Sequence, residues 1–249
     1  MEQFNPSTLA GKQILVTGAS SGIGKGMALA CAKMGATVIV TGRNVERLNE
    51  TLNLLPEGDH KAISADLTKA EDIDRLVSEL PKLDGLVQCA GVGSRVACKM
   101  VTQADIDHIM KPNLEAPVLL QAAILAKKKI NKAASIVYIA SRAANAPTVG
   151  NAIYSASKGA IISYAKCLAL ELAPRQIRVN CICPAMVWTD LIIQDGLTKE
   201  EMEEAQLKYP LKRYGQPEDI ANLAIYMLSN ASAWMTGSAV DLTGGAIDL

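Results

Sequence analysis

Short aliphatic and β-branched runs recur along the chain, and each is followed by a longer segment whose apolar residues repeat every three or four positions. The runs at Lys12–Thr17, Thr37–Thr41, Lys61–Ser64, Gly85–Cys89, Ser135–Ala140, Ile177–Cys183 and Ser238–Leu242 predict seven strands. Helical periodicity predicts helices over Lys25–Met34, Val45–Leu55, Glu71–Leu80, Ala104–Met110, Leu114–Ile130, Tyr154–Ala173 and Pro217–Leu228. The strands are apolar almost throughout rather than at alternate positions, the pattern of a sheet covered on both faces. The chain therefore predicts an α/β fold: a doubly wound parallel sheet of seven strands with helices on both faces. No internal repeat and no linker divides it, so residues 1–249 read as one domain. One polar insert, Thr189–Gly215, containing Lys199-Glu200-Glu201-Met202-Glu203-Glu204, interrupts the alternation. Composition alone reads it as a solvated surface helix; its position after a strand end predicts a flap over a site.

Composition narrows the partners. Lys plus Arg equals Asp plus Glu, 25 against 25, so no global field recruits nucleic acid or an anionic membrane. No apolar run approaches the roughly 20 residues of a membrane span. The opening Met1-Glu2-Gln3-Phe4-Asn5-Pro6 lacks the basic flank and apolar core of a signal peptide, so a cytoplasmic protein is expected. The six cysteines show no metal-type spacing, and four of them fall inside apolar helices or strands, as small hydrophobes. Cys181 and Cys183 share a strand face, but residues two apart on one strand make poor disulfide partners. His60 and His108, the only histidines, sit in polar contexts that predict solvated surface side chains. A Ser-His-Asp hydrolase or a metal site has little to stand on.

Two stretches carry chemistry. The first strand runs into Thr17-Gly18-Ala19-Ser20-Ser21-Gly22-Ile23-Gly24 and then a helix. Glycines at such a strand–turn–helix junction let the backbone approach a pyrophosphate at the positive end of the helix. The G-x-x-x-G-x-G spacing departs from the commoner G-x-G-x-x-G, so the dinucleotide fingerprint matches in kind only. The second stretch is Tyr154-Ser155-Ala156-Ser157-Lys158 at the start of a long helix. Positions i and i+4 share a face, so the Tyr154 hydroxyl and the Lys158 ammonium can approach one small molecule from the same side. The positive charge favours the phenolate and fits Tyr154 to exchange a proton with a carbonyl or alcohol. Taken alone, the pair is also what an exposed tyrosine and lysine on an ordinary helix would give.

Together with Asp66 after the third strand, Ala90-Gly91 after the fourth, Asn113, Ser141 after the fifth, and the Pro184–Asp190 loop after the sixth, these residues resemble the short-chain dehydrogenase/reductase family over nearly the whole chain. The resemblance implies a Rossmann-type fold and a catalytic set of Asn113, Ser141, Tyr154 and Lys158. Tyr154 would protonate the carbonyl oxygen, and Ser141 would hydrogen-bond that oxygen. Lys158 would hold the nicotinamide ribose, and Asn113 would hold a water linking Lys158 to solvent. It implies cofactor contacts from Gly18, Ser20, Ser21, Gly22, Ile23 and Gly24, from Asp66 and Leu67 at the adenine, and from Ala90 and Gly91 at the ribose. Tyr154, Lys158, Pro184, Val187 and Thr189 would complete the set at the nicotinamide. All lie at strand carboxyl ends, where open α/β sheets bind ligands.

The end of the second strand, Thr41-Gly42-Arg43-Asn44, has no carboxylate for a ribose 2′-hydroxyl. A guanidinium there suits a 2′-phosphate, so NADP(H) is the expected cofactor, with Ser20 and Ser21 adding hydroxyl donors. Arg43 read alone would cap a surface loop. Two departures from the family pattern stand out. Gln88-Cys89-Ala90-Gly91 replaces Asn-Asn-Ala-Gly, removing an amide that stabilises the central sheet, and Pro184-Ala185 replaces Pro-Gly.

Met235-Thr236-Gly237 and Thr243-Gly244-Gly245 are similar to bacterial 3-oxoacyl-[acyl-carrier-protein] reductases, enzymes of fatty acid biosynthesis. Lys127, Lys128, Lys129 and Lys132 could dock an acidic carrier protein, although cations at a helix carboxyl end are also ordinary dipole chemistry. Against that assignment stand Gly150-Asn151-Ala152-Ile153, where those reductases have Gly-Gln-x-Asn, and Leu170, where they often have arginine. The expected activity is NADPH-dependent reduction of a 3-oxoacyl thioester, carrier-bound or free. A same-family dehydrogenase of a sugar, polyol or hydroxysteroid and a non-catalytic nucleotide-binding relative are the alternatives. Gly93, Ser94, Arg95, Val149, Ile153, Met186 and the flap would line the substrate side. The helices Leu114–Ile130 and Tyr154–Ala173, apolar on more than one face and carrying the small residues Ala160 and Ser163, predict a homodimer or homotetramer.

Overall fold

In a computed structural model, which describes residues 5–189 and 198–246, all seven predicted strands form one parallel sheet. They are β1 (Gln13–Thr17), β2 (Thr37–Gly42), β3 (Lys61–Ser64), β4 (Leu83–Gln88), β5 (Ile130–Ile139), β6 (Arg178–Pro184) and β7 (Ala239–Leu242). Their order is β3-β2-β1-β4-β5-β6-β7, so the winding reverses between β1 and β4 and leaves a crevice above the carboxyl ends of those two strands. Helices cover both faces: α1 (Gly22–Lys33), α2 (Val45–Asn53), α3 (Ala70–Glu79), α4 (Gln103–Met110), α5 (Ala116–Ala126), α6 (Ala152–Leu172), α7 (Lys199–Gln206) and α8 (Pro217–Leu228).

The period-two geometry of a strand distributes the apolar runs between two cores. Leu15, Ile39, Leu86, Ile136 and Val179 pack with α3, α5 and α6 on one face. Ile14, Val16, Val38, Val40, Val87, Val137 and Ile182 pack with α1 and α8 on the other. At Gly26 the two helices of that second layer come so close that a Cβ would meet Pro217 at 2.7 Å.

The predicted helix Leu114–Ile130 is broken at both ends. Lys111–Glu115 is a π-helical turn, α5 begins at Ala116, and the chain leaves it through Lys128 with φ 54°. Ile130 is then claimed by the sheet, pairing with Leu83, before a register shift brings Ser135 opposite Gly85. Two of the lysines expected to form a docking patch are bound within the chain. Lys127 Nζ pairs with Asp74 at 3.0 Å, and Lys129 Nζ donates to the carbonyls of Ser78 and Leu80 at the end of α3, the dipole chemistry of a helix terminus. His60 likewise is not a free surface side chain: it is half-buried, and its Nδ1 accepts the Val38 N–H at 3.0 Å. His108 is exposed as expected. All six cysteines are free thiols.

Residues 190–197 of the predicted flap, with Asp190 of the Pro184–Asp190 loop, lie outside the described residues. The rest of the flap is more than a solvated helix. Thr198 and Glu201 form a capping box on α7, and Met202 is fully buried with Tyr209, Tyr214 and Ala246 in a small third core. The flap's return limb is stitched to the strand-end segment by Trp188 N–H to Gly215 O (2.9 Å) and Gly215 N–H to Met186 O (3.0 Å). No helix among the described residues is long and apolar enough to cross a membrane.

Candidate active site

A cleft of about 460 Å³ opens above the β1–β4 crevice. Every residue predicted to contact the cofactor borders it: Gly18, Ser20, Ser21, Gly22, Ile23, Gly24, Arg43, Asp66, Leu67, Ala90, Gly91, Tyr154, Lys158, Pro184, Val187 and Thr189. Ser141 borders it too, whereas Asn113 lies behind its wall, 2% exposed.

The floor is built by close backbone approaches. Gly18 has φ +66°, and a Cβ on it would meet the Ala90 backbone at 2.9 Å, so β1 and β4 can end side by side only around a glycine. Thr17 Oγ1 accepts from both Cys89 N–H and Ala90 N–H at 3.0 Å, fixing the end of β4. Of the two amides in the family pattern Gln88 keeps one, its Nε2 donating to the Pro117 carbonyl at 3.2 Å and tying β4 to α5, while Cys89 carries none.

At one end of the cleft, α1 begins at the N-cap Ser21 with no side-chain cap and no acidic residue in its first turn. Its leading N–H groups are thus left for an anion, which is the environment a pyrophosphate requires. Ser20 Oγ lies over the end of β2, where a Cβ on Gly42 would come within 3.3 Å of it, next to Arg43. Asp66 Oδ1 accepts from Thr68 N–H (3.1 Å) and Thr68 Oγ1–H (2.7 Å). Partial burial raises this carboxyl, but the Thr68 bonds and the charges of Arg43 and Lys69 outweigh that and hold it below the usual range.

At the other end, α6 presents Tyr154 and Lys158 to the cleft, with Lys158 Nζ 5.7 Å from the Tyr154 ring centre. The Lys158 side chain is buried and its Nζ donates to Ile139 O at 2.9 Å, so one of its three protons is spent on positioning. Ser141 Oγ accepts the Ala143 N–H at 3.1 Å, which leaves the hydroxyl proton for another acceptor. Asn113 sits in the π turn, and its amide is fully engaged: Oδ1 accepts from Val92 N–H, and Nδ2 donates to Val92 O and Ser157 Oγ. A Cβ on Gly91 would meet Asn113 Oδ1 at 2.9 Å and lie 3.6 Å from Lys158 Nζ, so the wall between them has no spare room.

The family model described as enoyl-(acyl carrier protein) reductase matches residues 18–246. The 3-oxoacyl-[acyl-carrier-protein] reductase FabG of Rickettsia felis is 34% identical over 239 residues, spanning 96% of this chain and 98% of that protein. The chain belongs to the short-chain dehydrogenase/reductase family. Among solved members, a 3-ketoacyl-(acyl-carrier-protein) reductase from Brucella melitensis complexed with NADH superposes with a TM-score of 0.87, at 32% identity, covering 96% of this chain and all of that one. A putative NAD(P)-dependent gluconate 5-dehydrogenase from Beutenbergia cavernae with bound NADP gives 0.84 at 30% identity, covering 97% and 98%. This short-chain dehydrogenase/reductase is therefore an oxidoreductase with an NAD(P)-type site.

Of the residues expected on the substrate side, Gly93, Ser94, Arg95 and Met186 border the cleft. Val149 and Ile153 do not; Val149 is 97% exposed and turned to solvent. Thr148, Asn151, Ala143, Ala146 and Tyr209 take their place. Tyr209 carried no motif, and nothing short of the flap's folding brings it to the site.

Proposed function

We propose that the protein is an NADPH-dependent carbonyl reductase whose substrate is a 3-oxoacyl thioester, free or on a carrier protein, in cytoplasmic fatty acid biosynthesis. The observation that carries this is the opening of Ser141, Tyr154 and Lys158 onto the same cleft as the uncapped start of α1. The bound dinucleotide would supply the hydride. Ser141 would donate its remaining hydroxyl proton to the substrate oxygen, and Tyr154 would transfer the proton that completes the alcohol. Lys158, with two N–H groups left after Ile139, would hold the nicotinamide ribose. Because the Asn113 amide is committed to Val92 and Ser157, its main-chain carbonyl would hold the water that returns a proton to Lys158. Arg43 and Ser20 would receive the 2′-phosphate, while Val187 and Thr189 would meet the carboxamide.

The thioester is favoured by likeness to reductases named for it. Likeness to a gluconate 5-dehydrogenase supports the second reading, oxidation or reduction of a sugar or polyol. Leu119 and Leu170, exposed on the outer faces of α5 and α6, support a dimer through these helices, and a homotetramer built from it.

The test is cofactor oxidation with acetoacetyl thioester, with NADPH and NADH in parallel. Turnover with NADPH supports the reading. Turnover only with sugars moves the protein to the second reading, and a preference for NADH removes the role given to Arg43.

A further inference from the structure

Tyr209 lies on the return limb of the flap, 8% exposed, and borders the same cleft as Ser141 and Tyr154. Its ring is held in place. Tyr214 meets it edge-on, with ring centres 5.1 Å apart, and a Cβ on Gly244 would lie 3.7 Å from its Cδ1. Its oxygen is held as well, accepting the Met186 N–H at 3.3 Å. A phenol with one lone pair engaged still has its proton to donate. None of the described groups accepts that proton, and leaving it unused costs a buried donor its hydrogen bond. Burial pushes this phenol above its ordinary range, and the Met186 bond only partly opposes that, so it remains a donor through the neutral range. Its described cleft-lining neighbours Ala185, Met186 and Ala246 have no hydrogen-bonding side chains, so among them Tyr209 alone brings a hydroxyl to this stretch of wall.

We propose that Tyr209 is a specificity-determining residue whose hydroxyl donates to a second oxygen of the substrate, distinct from the one being reduced. The proposal rests on the carbonyl-reductase reading above. The ligand class is a ketone bearing another acceptor oxygen close to the reacting carbon, such as a thioester carbonyl or a hydroxyl. A ketone without one leaves the Tyr209 proton unpaired, and a site built to bond an oxygen rejects the analogue lacking it.

The experiment compares wild type and Tyr209→Phe, which keeps the ring and its packing, on three ketones with NADPH: acetoacetyl thioester, a ketopentose and an unsubstituted five-carbon ketone. Cofactor affinity and Tm are measured alongside. The expected result is that wild type prefers an oxygenated ketone, and that Tyr209→Phe lowers this preference in kcat/KM by about 10-fold or more. Turnover of the plain ketone and NADPH affinity stay unchanged, while Tm falls by about 2–4 °C because the Met186 N–H loses its acceptor. An equal fall on all three ketones with weaker NADPH binding overturns the proposal, since Tyr209 then only steadies Met186. A preference that survives the substitution also overturns it. If wild type favours the ketopentose over the thioester, the thioester assignment fails, while Tyr209 is still judged on the ketopentose. Turnover of none of the three overturns the reductase reading and this proposal together.

Discussion

Asn113 brackets the main chain of Val92: its Oδ1 accepts the Val92 N–H at 2.8 Å and its Nδ2 donates to the Val92 carbonyl at 3.0 Å. A side-chain amide thereby imitates a neighbouring strand and holds the segment Gly91–Arg95 against the cleft. The π turn at Lys111–Glu115 presents Asn113 for this contact. Asn113→Ala should cost about 1–2 kcal/mol of stability by leaving the partly buried Val92 N–H and carbonyl without a partner, seen in urea unfolding. It should also lower kcat/KM through disorder of the substrate wall. Asn113→Asp keeps one acceptor and should recover only the Val92 N–H contact, giving an intermediate stability.

Tyr154→Phe should abolish most turnover, by roughly 10²–10⁴-fold, while NADPH still binds. Fluorescence titration of the cofactor separates the two effects. A variant that loses cofactor affinity in step with rate would mean that Tyr154 positions rather than transfers a proton.

Arg43→Ala should reduce kcat/KM with NADPH by about 10–100-fold, the scale of one charge-assisted hydrogen bond, and leave NADH almost unaffected. Equal losses with both cofactors would place the guanidinium away from the 2′-phosphate.

Thiol labelling at pH 8 should read the assembly. Burial pushes Cys31, Cys89 and Cys181 up to about 12, and burial with the nearby Asp241 pushes Cys183 to about 11, so these stay protonated and unreactive. Cys98 and Cys167 are exposed in the single chain. Cys167 lies on α6 in the turns between Ser163 and Leu170, so a dimer through that face should leave Cys98 as the fast-reacting thiol. Two fast thiols per chain in the native protein would exclude that interface.

Arg213 holds the Asp219 carboxyl below its usual range through two hydrogen bonds, NH1 to Oδ2 at 2.6 Å and NH2 to Oδ1 at 3.0 Å, and Asp219 also caps α8. The folded-state value lies below the unfolded one, so this stabilisation is present above the ordinary aspartate range and is lost as pH falls through the depressed value. Asp219→Asn should lower Tm by roughly 1–3 °C at pH 7, an effect kept small by the pair's exposure. That deficit should shrink towards pH 3. A deficit unchanged by acid would assign the effect to the cap rather than to the charge.

Local patterning along the chain already specifies the seven strands, their parallel arrangement and the residues at their carboxyl ends. Those features follow from local rules: apolar runs set strand positions, and a glycine-rich turn such as Thr17–Gly24 has few conformations open to it. It also carried Ser141, Tyr154 and Lys158, because their spacing relative to strand ends is itself a pattern along the chain. Tertiary structure decided what depends on pairing between distant segments. The helix read to Ile130 stops at Ala126 because Ile130 gains a strand partner in Leu83. Lys127 and Lys129 turn from a surface patch into ties on α3, and His60 from a solvated side chain into an acceptor for Val38. Tyr209 reaches the cleft only because Met202, Tyr214 and Ala246 bury together and fold the flap's inner face onto Met186. Local periodicity records which faces must be buried; which distant residue buries them, and which side chain is thereby brought to the cleft, is fixed only when the chain packs.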